Sequence, residues 1–267
     1  MSKRIGSKRI GDFVLPALLA CSLLLSAGRM AIAADPGPAI PLPDADRAQI
    51  EKLLGKGVVG DPVPAPPLQM PTSYAPREGT VLTYLLRDAK GKSWSEAHRI
   101  ASTTDSRFSP GFTYSIEKVK TEFMQAADGG LVIAAEEDLK EKVLTRFTPG
   151  QPLIVGGLKA GESRQVKVDV KVADLSDPTD ITHTGSLDIT YSYVGAYKVT
   201  VPAGSYEAAL IRWDYQGKVG PASIKDTYYR LIAPGAGLIA MIEDVSISAM
   251  LVYNDDTKLA KQLERIE

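Results

Sequence analysis

Val166-Lys167-Val168-Asp169-Val170-Lys171-Val172 places four valines on one parity and three charges on the other. A period of two is the pleat of a β-strand with one face buried and one in water, and β-branched valine suits that backbone. Outward from this stretch, Leu187, Ile189, Tyr191 and Tyr193 alternate with Asp188, Thr190 and Ser192, and residues 114–123 carry a weaker alternation. Leu131 to Ala135 is a short continuous apolar run. Turn residues punctuate the chain at Gly91, Pro110-Gly111, Asp128-Gly129-Gly130, Pro149-Gly150, Gly156-Gly157, Gly161, Gly195, Pro202-Ala203-Gly204, Gly217, Gly220-Pro221 and Pro234-Gly235. Short strands at this spacing predict an antiparallel meander of about ten strands over residues 80–253. The expected class is mainly β: a curved antiparallel sheet or part-closed β-barrel, with a short N-terminal helix and a C-terminal helix packed on it.

Two registers follow from the turns. A hairpin centred on Gly195 sets Tyr193 opposite Tyr197, Tyr191 opposite Val199 and Ile189 opposite Val201, all on one face. A turn near Val219 sets Arg212 opposite Asp226, a charge-compensated pair. Between them, Val201-Pro202-Ala203-Gly204 has Pro at the second turn position and Gly at the fourth, the type I preference. Leu238–Ile242 and Val245–Tyr253 are apolar on both parities, so something covers their second face. The tail, Asp256–Glu267, reads as a helix capped by Asp255 or Asp256, with Leu259, Leu263 and Ile266 in one stripe. This helix, with residues 46–54, is expected against the sheet.

The amino terminus reads as an address. Lys3, Arg4, Lys8 and Arg9 precede the apolar run Phe13–Leu25, and Ala31-Ile32-Ala33 offers the small residues a signal peptidase reads, which predicts cleavage after Ala33. Asp12, Pro16 and Arg29 leave the run short of the roughly 20 residues a membrane span needs. Leu18-Leu19-Ala20-Cys21 also resembles a lipobox, the alternative in which Cys21 is lipidated and the protein is membrane-anchored. Without Lys3, Arg4, Lys8, Arg9, Arg29 and Asp12, the mature chain carries 26 basic against 31 acidic residues, a formal charge of −5. That balance argues against a nucleic-acid partner. Cys21 is the one cysteine, which excludes an internal disulfide framework and a multi-cysteine zinc site. The organisation is therefore a signal peptide (1–33), a proline-rich arm with one short helix (34–77), and an antiparallel β domain with a C-terminal helix (78–267). The expected location is periplasmic or secreted.

The chemistry-bearing residues are sparse. His98 and His183, the two histidines, are read as surface or loop residues. G-x-S-x-G, H-E-x-x-H and Walker patterns do not occur. Ser115-Ile116-Glu117-Lys118 matches S-x-x-K, but in a strand an odd spacing sends Ser115 and Lys118 to opposite faces. Asp174, Asp177 and Asp180 read as an acidic solvated turn around Pro178. Eight of the 11 tyrosines lie between Tyr191 and Tyr253, with Trp213 among them, suiting a ligand wall or a sheet face. Arg212 and Arg230 sit within apolar strands and need partners, for which Asp226 and Glu243 are candidates. The reading is of a non-enzymatic protein without catalytic, cofactor or metal residues.

The run Val199-Thr200-Val201-Pro202-Ala203-Gly204-Ser205-Tyr206-Glu207-Ala208, with Tyr228-Tyr229 and Ala233-Pro234-Gly235-Ala236-Gly237-Leu238-Ile239, resembles exported bacterial proteins of domain-of-unknown-function family 3108. The resemblance covers the carboxyl-terminal third. It implies a curved sheet or part-closed barrel akin to half-barrels that carry lipid-linked cargo across the periplasm, with no assigned site residues. Two roles are expected: binding of an apolar or amphipathic small molecule in the sheet's concavity, or docking on another envelope protein through the arm or a sheet edge.

Overall fold

The computed structural model describes residues 36–69, 77–249 and 253–267. The amino-terminal segment read as a signal, with Cys21, the far end of the second proline stretch and the middle of the last turn lie outside the described residues. Helix α1 (Asp44–Leu54) and strand β1 (Val59–Val63) come from the arm. They are followed by β2 (Val81–Asp88), β3 (Ser93–Ser102), β4 (Phe112–Ile116), β5 (Lys120–Ala127), β6 (Gly130–Asp138) and β7 (Val143–Ile154). The chain continues with β8 (Ser163–Asp174), β9 (Ile181–Val201), β10 (Gly204–Val219), β11 (Ala222–Ala233), β12 (Gly237–Ala249) and β13 (Tyr253–Ile266).

Strands β2 to β13 pair antiparallel with their neighbours in chain order, and β13 returns to pair with β2. This is a closed up-and-down barrel, so the expectation of an open or part-closed sheet is corrected. Closure leaves those strands without free edges. Strand β9, at 21 residues, is long enough for two partners on one side. Its first part pairs with β8 (Val168↔Leu187), and its last part extends beyond β8 and pairs with β1 (Val59↔Val199).

Closure depends on the segment that reads as a helix. Residues 256–266 belong to β13, not to a helix: Leu259 lies opposite Asp88, Leu263 opposite Tyr84, and Ile266 opposite Leu82. The stripe at positions 259, 263 and 266 matches a helix, but Leu259, Lys261 and Leu263 also match a strand's period of two. The strand wins because β12 and β2 each present a free ladder to it, so its backbone groups are paired on both sides. Leu263 is fully buried, whereas Ile266 is 44% exposed at the strand's end.

The two registers also differ. Gly195 lies inside β9, opposite Leu210, and the ladder skips Val194 before resuming at Tyr193↔Ile211. The glycine marks a bulge, and the chain does not reverse there. The β10–β11 turn falls at Gly220-Pro221, so Val219 pairs with Ala222 and Arg212 faces Tyr229, three positions from Asp226. Gly220 supplies the positive φ of +54°, and Pro221 lacks the N–H a ladder needs, so the turn settles on these two residues. The turn at Pro202-Ala203 forms, with Val201 opposite Gly204. The weak pattern over 114–123 divides into β4 and β5 at a turn through Lys118, whose φ is +60°.

Helix α1 covers the second apolar face. Ile50 and Leu54 are buried with Tyr197, Val199, Leu210 and Leu231. Asp46 accepts hydrogen bonds from Arg212 Nη1 and the Tyr229 hydroxyl, both 2.9 Å to the same Oδ1. Gln262 Nε2 donates to the Leu54 carbonyl at 2.8 Å, capping the helix end from β13. The arm between Leu42 and Leu68 is thus docked on the wall, with Leu42, Val59, Val63, Ala65 and Leu68 all buried.

Candidate functional site

Alternation around the barrel directs one parity of each strand inward. On β11 these are Ile224, Asp226, Tyr228, Arg230 and Ile232, and on β12 Met241, Glu243, Val245 and Ile247. Val170 and Val172 of the sequence's clearest strand join them, while Lys167, Asp169 and Lys171 alternate away. The inward residues enclose a cavity of about 390 Å³ with a predominantly apolar wall.

A polar belt crosses that wall. Lys120 Nζ lies 2.7 Å from Glu122 and 3.1 Å from Glu136. Burial alone would lower the lysine's pKa, but the carboxylates of Glu122, Glu136 and Glu243 outweigh it and hold the value well above the ordinary one. Burial acts to raise Glu122, yet Lys120 and Arg230 hold it below the usual carboxylate range. Burial prevails at Glu136, pushing it up despite Lys120. Lys261, nearly enclosed on β13, lies 3.7 Å from Glu96 and 3.9 Å from Glu243. His98 bridges the belt to the tyrosines: Nε2 donates to Glu96 at 2.7 Å, leaving Nδ1 to accept from the Tyr114 hydroxyl. Burial depresses the His98 pKa although Glu96 favours the charged form. Asp226 accepts from the Ser246 amide at 3.0 Å, and burial raises its pKa.

Several sequence readings are revised by this geometry. His98 is 1% exposed and inside the barrel, not on the surface, while His183 is exposed. Arg212 finds its partners in Asp46 and Asp214, and Arg230 packs on Trp213, so neither arginine pairs with Asp226 or Glu243. The carboxyl-terminal tyrosines divide between locations. Tyr215 and Tyr228 stack inside at 5.5 Å, Tyr197 and Tyr229 lie beneath α1, and Tyr191 and Tyr193 donate to the Leu153 and Pro66 carbonyls. Asp174 and Asp177 accept from Ser176 and Thr179, as short side chains closing their own turn do. Ser115 donates to the Arg99 carbonyl across the ladder.

The belt residues Lys120, Glu122 and Glu136 were missed. Their signal was present: Lys120, Glu122 and Met124 share a parity, and charges on the parity of buried apolar residues mark an interior polar cluster.

No family model matches the chain, and no curated protein matches it. Among solved structures, a presumed exported protein with a YmcC-like fold from Bacteroides fragilis matches 75% of this chain and 99% of its own at 14% identity and a TM-score of 0.46. A presumed lipoprotein from Parabacteroides distasonis matches 74% of this chain and 100% of its own at 14% identity and a TM-score of 0.38. The hypothetical lipoprotein YmcC from Escherichia coli matches 68% of this chain and 83% of its own at 8% identity and a TM-score of 0.33. With all three TM-scores below 0.5, these likenesses transfer no activity or ligand.

Proposed function

We propose that this is an exported, non-enzymatic envelope protein that binds an amphipathic small molecule inside its barrel. The observation that carries the reading is the cavity itself. At about 390 Å³ it falls in the range of small-molecule sites, and it combines an apolar wall with a few convergent polar groups. Export rests on the three-part amino terminus and on the resemblance to family 3108, with cleavage after Ala33 and lipidation at Cys21 as the alternative. Lys167, Asp188, Asp214 and Lys225 put charges on the outer face of β8 to β11, unlike the apolar outer band of a membrane-spanning barrel.

Native mass spectrometry of protein purified from its own host tests this reading. The expected spectrum shows a chain beginning at Ala34 with a non-covalent small molecule that is lost in V170F, a substitution that fills the cavity. A spectrum containing only the bare chain from wild type and variant alike contradicts the reading. An acid–base enzyme has one observation in its favour, the raised carboxyls of Glu136 and Asp226 within one cavity. Both carboxyls already hold internal donors, in Lys120 and in the Ser246 amide, so the binding reading accounts for them more simply.

A further inference from the structure

Arg230 is nine-tenths buried on the inward parity of β11. Its guanidinium lies 4.1 Å from the Trp213 ring centre and 5.7 Å from that of Tyr228. Among the described residues it forms no ion pair, and its Nε has no hydrogen-bond partner. The interior carboxylates are all served: Glu122 and Glu136 by Lys120, Glu96 and Glu243 by Lys261, and Asp226 by Ser246. Arg230 acts on Glu122 only through its field and touches no interior carboxylate, so it is the inward cation without a direct ion pair among the described residues.

A buried charge without a contacting counter-ion is costly, and stacking on an aromatic face returns only part of that cost. The adjacent Trp213 Nε1 is likewise a buried donor without an acceptor. Both unsatisfied groups are donors, so the missing partner is an acceptor. The flat guanidinium fork matches two oxygens of a carboxylate or phosphate, and a bond to a charged acceptor is the strong kind. Apolar Ile232, Leu238 and Met241 line the cavity beside it. If a methylene takes about the volume of a water, about 30 Å³, the cavity holds about a dozen such groups.

We propose that Arg230 seats the anionic head of a single-chain amphiphile, a carboxylate or phosphate monoester, whose chain lies along the apolar wall. This rests on the cavity reading above and adds the chemistry of the head group. Counting charges alone points the other way, since the interior carboxylates outnumber the cations and would favour a cationic ligand. The pairing pattern decides for the anion, because the carboxylates already hold direct partners and Arg230 contacts none of them.

The test uses the full mature chain in a W94F background, which leaves Trp213, beside Arg230, as its one tryptophan. Its fluorescence and titration calorimetry report binding of decanoate, decyl phosphate, decanol and decyltrimethylammonium. At least one anion binds about tenfold or more tighter than decanol, the scale of a charge-assisted pair, and the two anionic arms separate carboxylate from phosphate. R230M reduces the anion to the level of decanol and leaves decanol within about threefold, because an uncharged head makes no charge-assisted bond. R230K retains part of the preference. Equal binding of decanol and both anions to the wild type overturns the head-group assignment and leaves the cavity reading standing, as does tightest binding of the ammonium. Failure of all four chains to bind overturns the cavity reading and this inference together. Should R230M not fold, the wild-type ranking of the four heads decides alone.

Discussion

Asp46 is the polar fastening between helix α1 and the barrel, and its replacement has a calculable effect. Its carboxylate is 4% exposed, and a single oxygen, Oδ1, accepts from both Arg212 Nη1 and the Tyr229 hydroxyl at 2.9 Å. In D46A the Tyr229 hydroxyl is left buried without an acceptor, a loss of about 1–3 kcal/mol. Arg212 keeps Asp214 and is one-third exposed, so water and the second carboxylate limit its contribution to about 1 kcal/mol or less. The total is about 1–4 kcal/mol. D46N is the informative companion. An amide oxygen has two lone pairs, so both bonds survive in place and only their charge assistance is lost, about 1 kcal/mol. Urea unfolding of the mature chain, followed by far-ultraviolet circular dichroism, reads both, with the slope unchanged if the compactness of the two states is preserved. A D46A midpoint matching wild type, or D46N falling as far as D46A, would refute the fastening.

Lys120 serves two carboxylates at once, so K120M leaves Glu122 buried and unpaired and destabilises the barrel by about 3–5 kcal/mol. K120M/E122Q recovers at least about half of that in the same urea assay, and a double variant as unstable as the single one contradicts the pairing. His98 has its pKa lowered by burial from 6.5, so the unfolded chain takes up a proton at higher pH than the folded one. Its contribution is complete above pH 6.5 and is lost as pH falls from there through the folded value, while the raised carboxyls of Glu136 and Asp226 act in the opposite sense. The wild type therefore loses more stability than H98Q on acidification below pH 6.5, and the His98 ring titrates below 6.5 by NMR, where a midpoint above it would contradict the burial account. Gly217 has room for no side chain: an added Cβ would stand 2.0 Å from the Ser186 carbonyl oxygen, where β9 and β10 approach closely. G217A lowers stability by about 1–3 kcal/mol, and a midpoint matching wild type would show that the strands can separate there.

The strand content was legible wherever one parity is apolar and the other charged, as at Val166–Val172, because that pattern arises directly from one wet face and one dry one. Legibility failed where long-range pairing overrode local preference. Residues 257–265 favour helix by composition, and only the free ladders of β12 and β2, separated from the tail by very different stretches of sequence, make them a strand. That one misreading also hid the closure, since an open sheet follows when β13 is taken away. The glycines mislead for a related reason: Gly195 serves a bulge and Gly220 a turn, and a glycine's conformational freedom suits either. Within the site, Tyr215, Tyr228 and Trp213 stood out by residue type. Lys120, Glu122 and Glu136 did not, because charged residues count as outward-facing until their parity is compared with that of Met124 and Ile133.

Methyl-resolved NMR of the mature chain titrated with decanol tests the interior cavity most directly, since a neutral head keeps the outcome independent of Arg230. The account predicts shifts concentrated at Leu131, Ile133, Val170 and Ile232, which line the cavity, with the exposed methyls of Leu85, Leu139 and Ile181 unmoved. Shifts confined to those exposed methyls, or none at any decanol concentration below its solubility limit, would contradict it.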